Sequence, residues 1–149
     1  MDRIVVIGAG QAGASCVAKL RAEGFEGAIT LIGDENVPPY QRPPLSKGYL
    51  LGDMTLERLY LRPEAFYAEQ NITLNLGAEV TGIDPATKSL TIGDKTISYD
   101  QLALTTGSAP RYLPASIGGN LDGVHVVRTL GDVDKMAPEV TQDARVLIV

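Results

Sequence analysis

The feature that most constrains this chain is the stretch IVVIGAGQAG near its start. Four apolar residues, Ile4–Ile7, run directly into three glycines with the spacing G-x-G-x-x-G. An apolar run that stops at such a turn is typical of a buried strand that turns sharply into a helix. In that arrangement Gly8 permits the tight turn, Gly10 lets the backbone approach a diphosphate, and Gly13 lets the helix pack closely on the strand.

The residues around this glycine turn predict a complete β-α-β unit. Strands are predicted over Arg3–Ile7 and Ala28–Ile32, with a helix over Gln11–Glu23 between them. A diphosphate at the turn would accept hydrogen bonds from the N–H groups at the start of the helix, where the helix dipole is positive. Asp34 follows the last motif glycine by 21 residues, with Glu35 beside it, and an acid there binds ribose hydroxyls. We therefore predict dinucleotide binding, although the glycines alone do not distinguish FAD from NAD.

The segment after this unit differs from a simple NAD-binding domain, which would continue with further β-α units. The stretch NVPPYQRPPL holds four prolines in ten residues and predicts an extended loop. A short helix is predicted near Ser46 and another over Pro63–Gln70. The remaining predicted elements are strands Thr73–Leu76, Glu79–Ile83, Ser89–Ile92, Thr96–Ser98, Gln101–Thr105 and Val124–Val127, a helix Gly131–Val140 and a final strand Ala144–Val149. The short strands before residue 99 predict a small antiparallel meander.

Composition and charge argue against several other classes of protein. The chain of 149 residues has a net charge of −5 and no lysine or arginine cluster, so no nucleic-acid surface is predicted. No apolar run approaches the roughly 20 residues of a membrane span, so no membrane partner is predicted. Cys16 is the single cysteine, so no internal disulfide is expected, and no metal site is visible. The absence of a signal peptide before the glycine turn favours a cytoplasmic location.

Several stretches together resemble the NADH-dependent ferredoxin reductases, flavoproteins of the glutathione-reductase structural type. These stretches are GAGQAG, LIGDE, PPYQRPPLSKGYL, ERLYLRPEAFYAEQNI and LALTTGSAPR, of which RPPLSKGYL is the most specific. The resemblance implies an enzyme that transfers hydride from NADH to FAD. The flavin would then pass electrons to a 2Fe–2S ferredoxin that serves a monooxygenase or dioxygenase. The oligomeric state stays open.

The resemblance also implies which residues contact the cofactor. The matching positions are Gly8, Gly10, Ala12 and Gly13 at the diphosphate, Asp34 at the adenosine ribose, Val80 at the adenine, Thr106 and Gly107 in the A-T-G turn, and Arg42, Lys47 and Arg128 as further FAD contacts. Glu35 is a second candidate for the ribose. Lys47 is the catalytic candidate, because a cation beside a flavin stabilises the negative charge of its reduced ring. Thr105 stands where the family has alanine, a difference expected to matter little.

The resulting fold class is α/β. A Rossmann-type FAD-binding domain with a parallel sheet and a small antiparallel β-meander is expected over residues 1–115. Residues 116–149 are expected to form a connection and the first strand of a second, NADH-binding Rossmann domain, truncated after that strand. Two alternatives remain: a related flavoprotein with another acceptor, such as an NADH oxidase or disulfide reductase, and a non-catalytic dinucleotide-binding module. The disulfide enzymes use a cysteine near the flavin, and RPPLSKGYL has none.

Overall fold

A computed structural model describes residues 2–149 of the chain as two compact units. Each unit consists of two segments of the chain. The first unit comprises the residues up to Tyr40 together with Tyr60–Gly107, and the second comprises Gln41–Leu59 together with Ser108–Val149. The strands are β1 Arg3–Ile7, β2 Ala28–Ile32, β3 Ile72–Asn75, β4 Val80–Asp84, β5 Ser89–Ile92, β6 Lys95–Ser98 and β7 Gln101–Leu104. The α-helices are α1 Gln11–Ala22, α2 Leu56–Leu59, α3 Glu64–Glu69 and α4 Leu130–Met136.

A four-stranded parallel sheet forms the centre of the first unit, in the order β3-β2-β1-β7. Ile4 of β1 pairs with Ile29 of β2 on one side and with Gln101 of β7 on the other. The predicted β-α-β unit is confirmed, with the helix one residue shorter than expected. The α/β class is confirmed as well, including the separate antiparallel sheet β4-β5-β6.

The alternation of side chains along β1 divides the core of the first unit between two faces of the sheet. Ile4 and Val6 belong to one apolar cluster, which includes Val17 of α1 and Tyr67 of α3. Val5 and Ile7 belong to a second cluster, together with residues of the meander: Leu90, Tyr99 and the partly buried Val80, Ile92 and Ile97. Because both faces of the sheet are covered at β1, four consecutive residues of this strand are apolar.

The second unit is held by polar side-chain contacts around a few buried apolar residues. The guanidinium of Arg42 donates to the backbone carbonyl of Arg128. The hydroxyl of Tyr49 donates to Oδ1 of Asp134 at 2.7 Å. A short 3-10 helix, Pro43–Ser46, lies against α4. The buried apolar residues of this unit are Leu45, Leu59, Leu130 and Val133.

Several predicted elements differ from the structure. The first strand of the predicted meander instead forms β3, which pairs in parallel with β2 as part of the main sheet. The strands expected over Val124–Val127 and Ala144–Val149 are not formed, because neither stretch has a hydrogen-bonded neighbouring strand. The helix expected over Gly131–Val140 passes into a 3-10 turn at residues 137–139. Pro138 lacks the N–H that would continue the α-helical hydrogen bonds.

Candidate functional site

A cleft opens in the first unit where the carboxyl ends of the parallel strands meet. Its lining comprises Ile7 and Gly8 after β1, Ile32, Gly33 and Asp34 after β2, Ala78, Glu79 and Val80 at β4, and Thr106 after β7. Ligands of open α/β sheets bind at this edge, outside the carboxyl ends of the strands. The cleft measures about 160 Å³, less than the roughly 300–1,000 Å³ of pockets that enclose a whole small ligand. It is therefore suited to one part of an extended molecule.

Gly8 makes the sharp turn at the end of β1 that the sequence predicts. Its φ of +108° lies in the region that favours glycine, and its N–H donates to the carbonyl of Ile32 at 2.8 Å. A Cβ on Gly8 would overlap the backbone carbonyl of Thr105. The chain after β7 thus passes directly against the turn, and only a residue without a side chain fits between them.

The other two glycines of the motif have opposite surroundings. A Cβ on Gly13 would overlap the carbonyl oxygen of Gly8 and would lie 3.0 Å from a side-chain methyl of Leu31. Gly13 is therefore required by the close packing of α1 on the sheet, as expected. A Cβ on Gly10 would meet no atom within 4 Å, and the φ of Gly10 is an ordinary −85°. The fold itself does not require a glycine at position 10, whereas a ligand lying against the backbone there would require one.

The start of α1 offers hydrogen-bond donors without a partner from its own cap. Gly10 occupies the N-cap position, so no side chain accepts a hydrogen bond from the first turn. The first turn also contains no acidic residue, although Lys19 and Arg21 complement the dipole at the other end of the helix. Ala12 is exposed in this first turn. The donors and the positive end of the dipole together favour an anion at this place.

A loop anchored by backbone hydrogen bonds carries the two acidic candidates, Asp34 and Glu35. Two backbone hydrogen bonds hold Gly33 in place. Its N–H donates to the carbonyl of Asn75 at 3.0 Å, and its carbonyl accepts the N–H of Ala78 at 2.8 Å. Asp34 follows as an exposed residue that lines the cleft. Oε2 of Glu35 accepts a 2.6 Å hydrogen bond from the hydroxyl of Tyr40. The two adjacent carboxylates therefore differ, since one faces the cleft and the other binds a buried tyrosine.

Val80 reaches the cleft at an irregular point of the meander. The register of β4 against β5 shifts between Val80 and Gly82, where a bulge interrupts the regular pairing. Bulges commonly redirect backbone groups next to binding sites. Thr106 lines the same cleft, and Gly107 beside it has a φ of +70°. The structure thus brings Gly8, Asp34, Val80 and Thr106 together, as a shared dinucleotide site requires.

The three basic candidates lie in the second unit. Arg42 and Arg128 are brought together by the hydrogen bond from the guanidinium of Arg42 to the carbonyl of Arg128. The N–H of Arg128 donates to Asp132 at 3.0 Å, so its backbone is fixed on both sides. Lys47 is exposed and caps the 3-10 helix Pro43–Ser46 at its carboxyl end. Within its unit, the side chain of Lys47 is exposed to solvent at the end of this short helix.

Sequence reasoning missed two positions that shape the site. Tyr40 was given no site role in the sequence analysis, yet its hydroxyl donates to Oε2 of Glu35. Gly33 was not singled out, although a Cβ there would overlap the side chain of Ala9 in the glycine turn. The glycine in LIGDE was the available signal, because a glycine between a strand and an acid often marks a close backbone approach.

Among the described residues there is no group of three or more histidine, cysteine, aspartate or glutamate side chains that could hold a metal ion. In the same part of the chain no helix has both the length and the apolar character needed to cross a membrane.

Neither the single histidine nor the single cysteine is among the residues that line the cleft. Nε2 of His125 lies 3.1 Å from Oε2 of Glu139 in the second unit. Cys16 is half buried and packs against the apolar cluster under α1.

Comparison with known protein families matches the chain to one family over almost its whole length. The family is described as pyridine nucleotide-disulphide oxidoreductase, and its model matches residues 2–149. The rhodocoxin reductase of Rhodococcus erythropolis is 44% identical over 147 residues, which make up 98% of this chain and 34% of that protein. A rubredoxin-NAD(+) reductase of Pseudomonas putida is 36% identical over 146 residues, 97% of this chain and 38% of that protein.

A solved structure gives the same result for the fold. The structure of a covalent putidaredoxin reductase–putidaredoxin complex matches with a TM-score of 0.88 and 41% identity, covering 95% of this chain and 35% of the matched chain. The chain therefore spans about a third of the length of the relatives that it matches. The similarity covers both units, including the glycine turn and the proline-rich segment.

Proposed function

Because the chain belongs to the pyridine nucleotide-disulphide oxidoreductase family, we propose that it is the FAD-binding part of an NADH-dependent reductase that supplies a 2Fe–2S ferredoxin. Its relatives include a rhodocoxin reductase and a putidaredoxin reductase solved with its putidaredoxin. The ferredoxin would serve a monooxygenase or dioxygenase. In this proposal residues 1–115 bind FAD, and residues 116–149 lead into a domain that binds NADH.

One observation carries the proposal: the open space against Gly10, at the uncapped start of α1 and beside a cleft that contains Asp34. The diphosphate of FAD would lie there, against Gly8, Gly10, Ala12 and Gly13. Asp34 would accept hydrogen bonds from the adenosine ribose, and Glu35 would contribute a second negative charge nearby. The backbone of Val80 would meet the adenine, and Thr106 and Gly107 would contact the cofactor from the end of β7.

The family resemblance assigns the basic residues of the second unit to the flavin end of the cofactor. FAD, when bound, supplies the redox chemistry, because it accepts two electrons as a hydride and can release them one at a time. Lys47 would stabilise negative charge on the reduced ring, and its exposed ammonium group is available for that role. The bond between Arg42 and the carbonyl of Arg128 would hold both arginines in place as cofactor contacts.

The experiment uses the full-length protein and tests cofactor, donor and acceptor together. We expect a flavin absorption band at close to one FAD per chain, rapid reduction by NADH, and electron transfer to a 2Fe–2S ferredoxin. Rubredoxin serves as the competing acceptor, since one relative is named a rubredoxin reductase. Faster reduction of rubredoxin than of any ferredoxin would transfer the proposal to that acceptor, and absence of bound flavin would refute it.

The same preparation separates the proposal from a disulfide reductase. No cysteine occurs in residues 42–51, the segment that begins within the proline-rich loop, and Cys16 lies in α1 instead, packed against the apolar cluster. We therefore expect an anaerobic dithionite titration to end at two electrons per FAD, with a Cys16→Ser variant reducing ferredoxin at nearly the unchanged rate. Uptake of four electrons per FAD, or a loss of turnover in the serine variant, would instead support the disulfide reductase.

The two adjacent acids provide a test of the ribose site with a matched control. We expect Asp34→Asn to weaken FAD binding roughly 10- to 150-fold, because a hydrogen bond to a charged group contributes about 1.5–3 kcal/mol. Glu35→Gln should weaken FAD binding less, because Oε2 of Glu35 already accepts the hydroxyl of Tyr40. Titration of the apoprotein with FAD measures both affinities. A larger loss in the glutamine variant would identify Glu35 as the ribose ligand.

A further inference from the structure

The side chain of Thr105 joins the end of β7 to the glycine turn. Its hydroxyl lies 2.9 Å from the carbonyl oxygen of Gly8 and 3.0 Å from that of Ile7. The Ile7 carbonyl already accepts the backbone N–H of Thr105 at 2.8 Å. The described backbone hydrogen bonds include none to the carbonyl of Gly8. Since a hydroxyl has a single proton to donate, the Gly8 carbonyl is the acceptor that gains most from it.

The carbonyl of Gly8 is confined from a second side by α1. A Cβ on Gly13 would overlap this oxygen and would also lie 3.0 Å from the Thr105 hydroxyl. The carbonyl therefore sits in a narrow space between a backbone that cannot carry a side chain and a hydroxyl that can donate to it. A hydrogen-bond donor at this point stabilises the fold, because a part-buried backbone carbonyl without a partner would destabilise it.

The direction of the Gly8 carbonyl determines the direction of the next N–H group. The described part of the chain contains no cis peptide bond, so the N–H of Ala9 points opposite to the carbonyl of Gly8. It points away from Thr105 and Gly13. The nitrogen of Ala9 lies 3.6 Å from the position that a Cβ on Gly33 would occupy, and Gly33 lines the cleft. The hydroxyl of Thr105 thus orients the peptide group that leads to Gly10.

We propose that Thr105 is a positioning residue for the diphosphate site, acting through the carbonyl of Gly8 on the peptide that enters the glycine turn. This inference rests on the proposed binding of FAD at that turn. Thr105 need not touch the cofactor, and its hydroxyl serves to keep the turn in the conformation that binds it. An alanine, the residue that the resemblance implies for the family at this position, would leave the carbonyl of Gly8 without this donor, so we expect the difference to matter more in this chain than the sequence alone predicted.

The test compares three variants of the full-length protein. Thr105→Val keeps the size and branching of the side chain but has no hydroxyl, whereas Thr105→Ser keeps the hydroxyl. Thr73→Val is the control, since Thr73 is an exposed residue of β3 in the same sheet. We expect Thr105→Val to weaken FAD binding roughly tenfold and to shift the ³¹P resonances of the bound diphosphate. Thr105→Ser and Thr73→Val should retain the wild-type affinity and resonances.

The outcomes separate this inference from the proposed function. A wild-type protein that binds no FAD refutes the proposed function. A wild-type protein that binds FAD, together with a valine variant of equal affinity and unchanged ³¹P resonances, overturns the role of Thr105 alone. Equal losses of affinity and thermal stability in the valine and serine variants would also overturn it, because they would show that the side chain acts through packing. Rescue by serine with restored resonances supports the inference.

Discussion

Helices α1 and α4 begin in opposite ways. At the start of α4, Thr129 and Asp132 form a reciprocal capping box: the Thr129 hydroxyl accepts the Asp132 N–H at 3.1 Å, and Asp132 accepts the Thr129 N–H at 2.8 Å. At the start of α1, Gly10 provides no side-chain cap and no acid follows it. Side chains therefore cap the first turn of α4, which has seven residues, whereas no side chain caps the first turn of α1, which has twelve.

Under the proposed function, this difference separates a helix start that is capped for stability from one that is left open for a ligand. A short helix such as α4 gains from every cap, because isolated turns are marginally stable. The longer α1 is stabilised by burial of Gly13, Ala14 and Val17 against the sheet, so its first N–H groups need not be satisfied by a side chain. The missing cap is then informative, since the donors remain available to a bound anion.

The largest expected effect comes from adding a cap to α1. Gly10→Asp should weaken FAD binding at least ~100-fold, because the carboxylate would bind the helix N–H groups and repel the diphosphate. The stability of the protein without cofactor should stay equal or rise by a few tenths of a kcal/mol. Titration of the apoprotein with FAD and thermal unfolding without FAD measure the two quantities.

Two further variants at this turn serve as controls. Gly10→Asn adds a cap without a charge, so its affinity should fall between those of the wild type and the aspartate variant. Gly13→Ala should lower both stability and binding, because its Cβ would overlap the Gly8 carbonyl. If Gly10→Asp kept the wild-type affinity for FAD, the start of α1 would not be the diphosphate site.

Removing the cap of α4 should have a smaller and purely structural effect. Thr129→Ala should destabilise α4 by about 1 kcal/mol, the usual contribution of an N-cap side chain. Hydrogen exchange should show the loss in the amides of α4 and no change in those of α1. Thr129→Ser retains the hydroxyl and should retain the protection. Equal loss of protection in both helices would mean that the cap of α4 supports more than its own helix.

The smallest effect concerns α2. Like α4, this helix has an acidic residue, Glu57, in its first turn. Hydrogen bonds from its own backbone N–H and from the hydroxyl of Thr55 hold the pKa of Glu57 below its usual 4.5. The stabilisation is complete above pH 4.5 and is lost as the pH falls through the lowered pKa. Carbon-13 NMR of the Glu57 carboxyl should show a midpoint below 4.5 that rises in a Thr55→Ala variant. A midpoint unchanged by that substitution would exclude Thr55 as a cause.

The sequence predicted the parts of the fold that depend on local patterns. The run Ile4–Ile7 and the glycine spacing specified β1, the turn and α1, because burial on both faces and a positive φ leave direct marks on residue choice. The antiparallel pairing of β5 and β6 was predicted as part of the small meander, and Gly93 in the turn between them has a φ of +54°. Asp34 was found by its spacing, and the structure places it at the cleft.

Non-local pairing explains what the sequence did not predict. The residues of β3 look like any short strand, and only their pairing with β2 shows that they belong to the main sheet. The apolar stretch Ala144–Val149 has a strand-like composition but no partner strand in the described structure. The proposed role of Thr105 depends on contact with a turn 97 positions earlier, which no local pattern reveals.

The separation in sequence of the segments that line the cleft also bears on how the protein is made. Residues near positions 8, 33, 79 and 106 must meet, and the pairing of Ile4 with Gln101 completes the sheet between them. Parallel pairing over such a distance folds slowly, because the entropy of closing a long loop is lost before the contacts form. While the ribosome is still synthesising β7, the finished glycine turn lacks Thr105 and Thr106. If FAD binds at this turn as proposed, we expect tight binding only after the whole first unit has emerged, so free flavin adenine dinucleotide should not assist the early steps of folding.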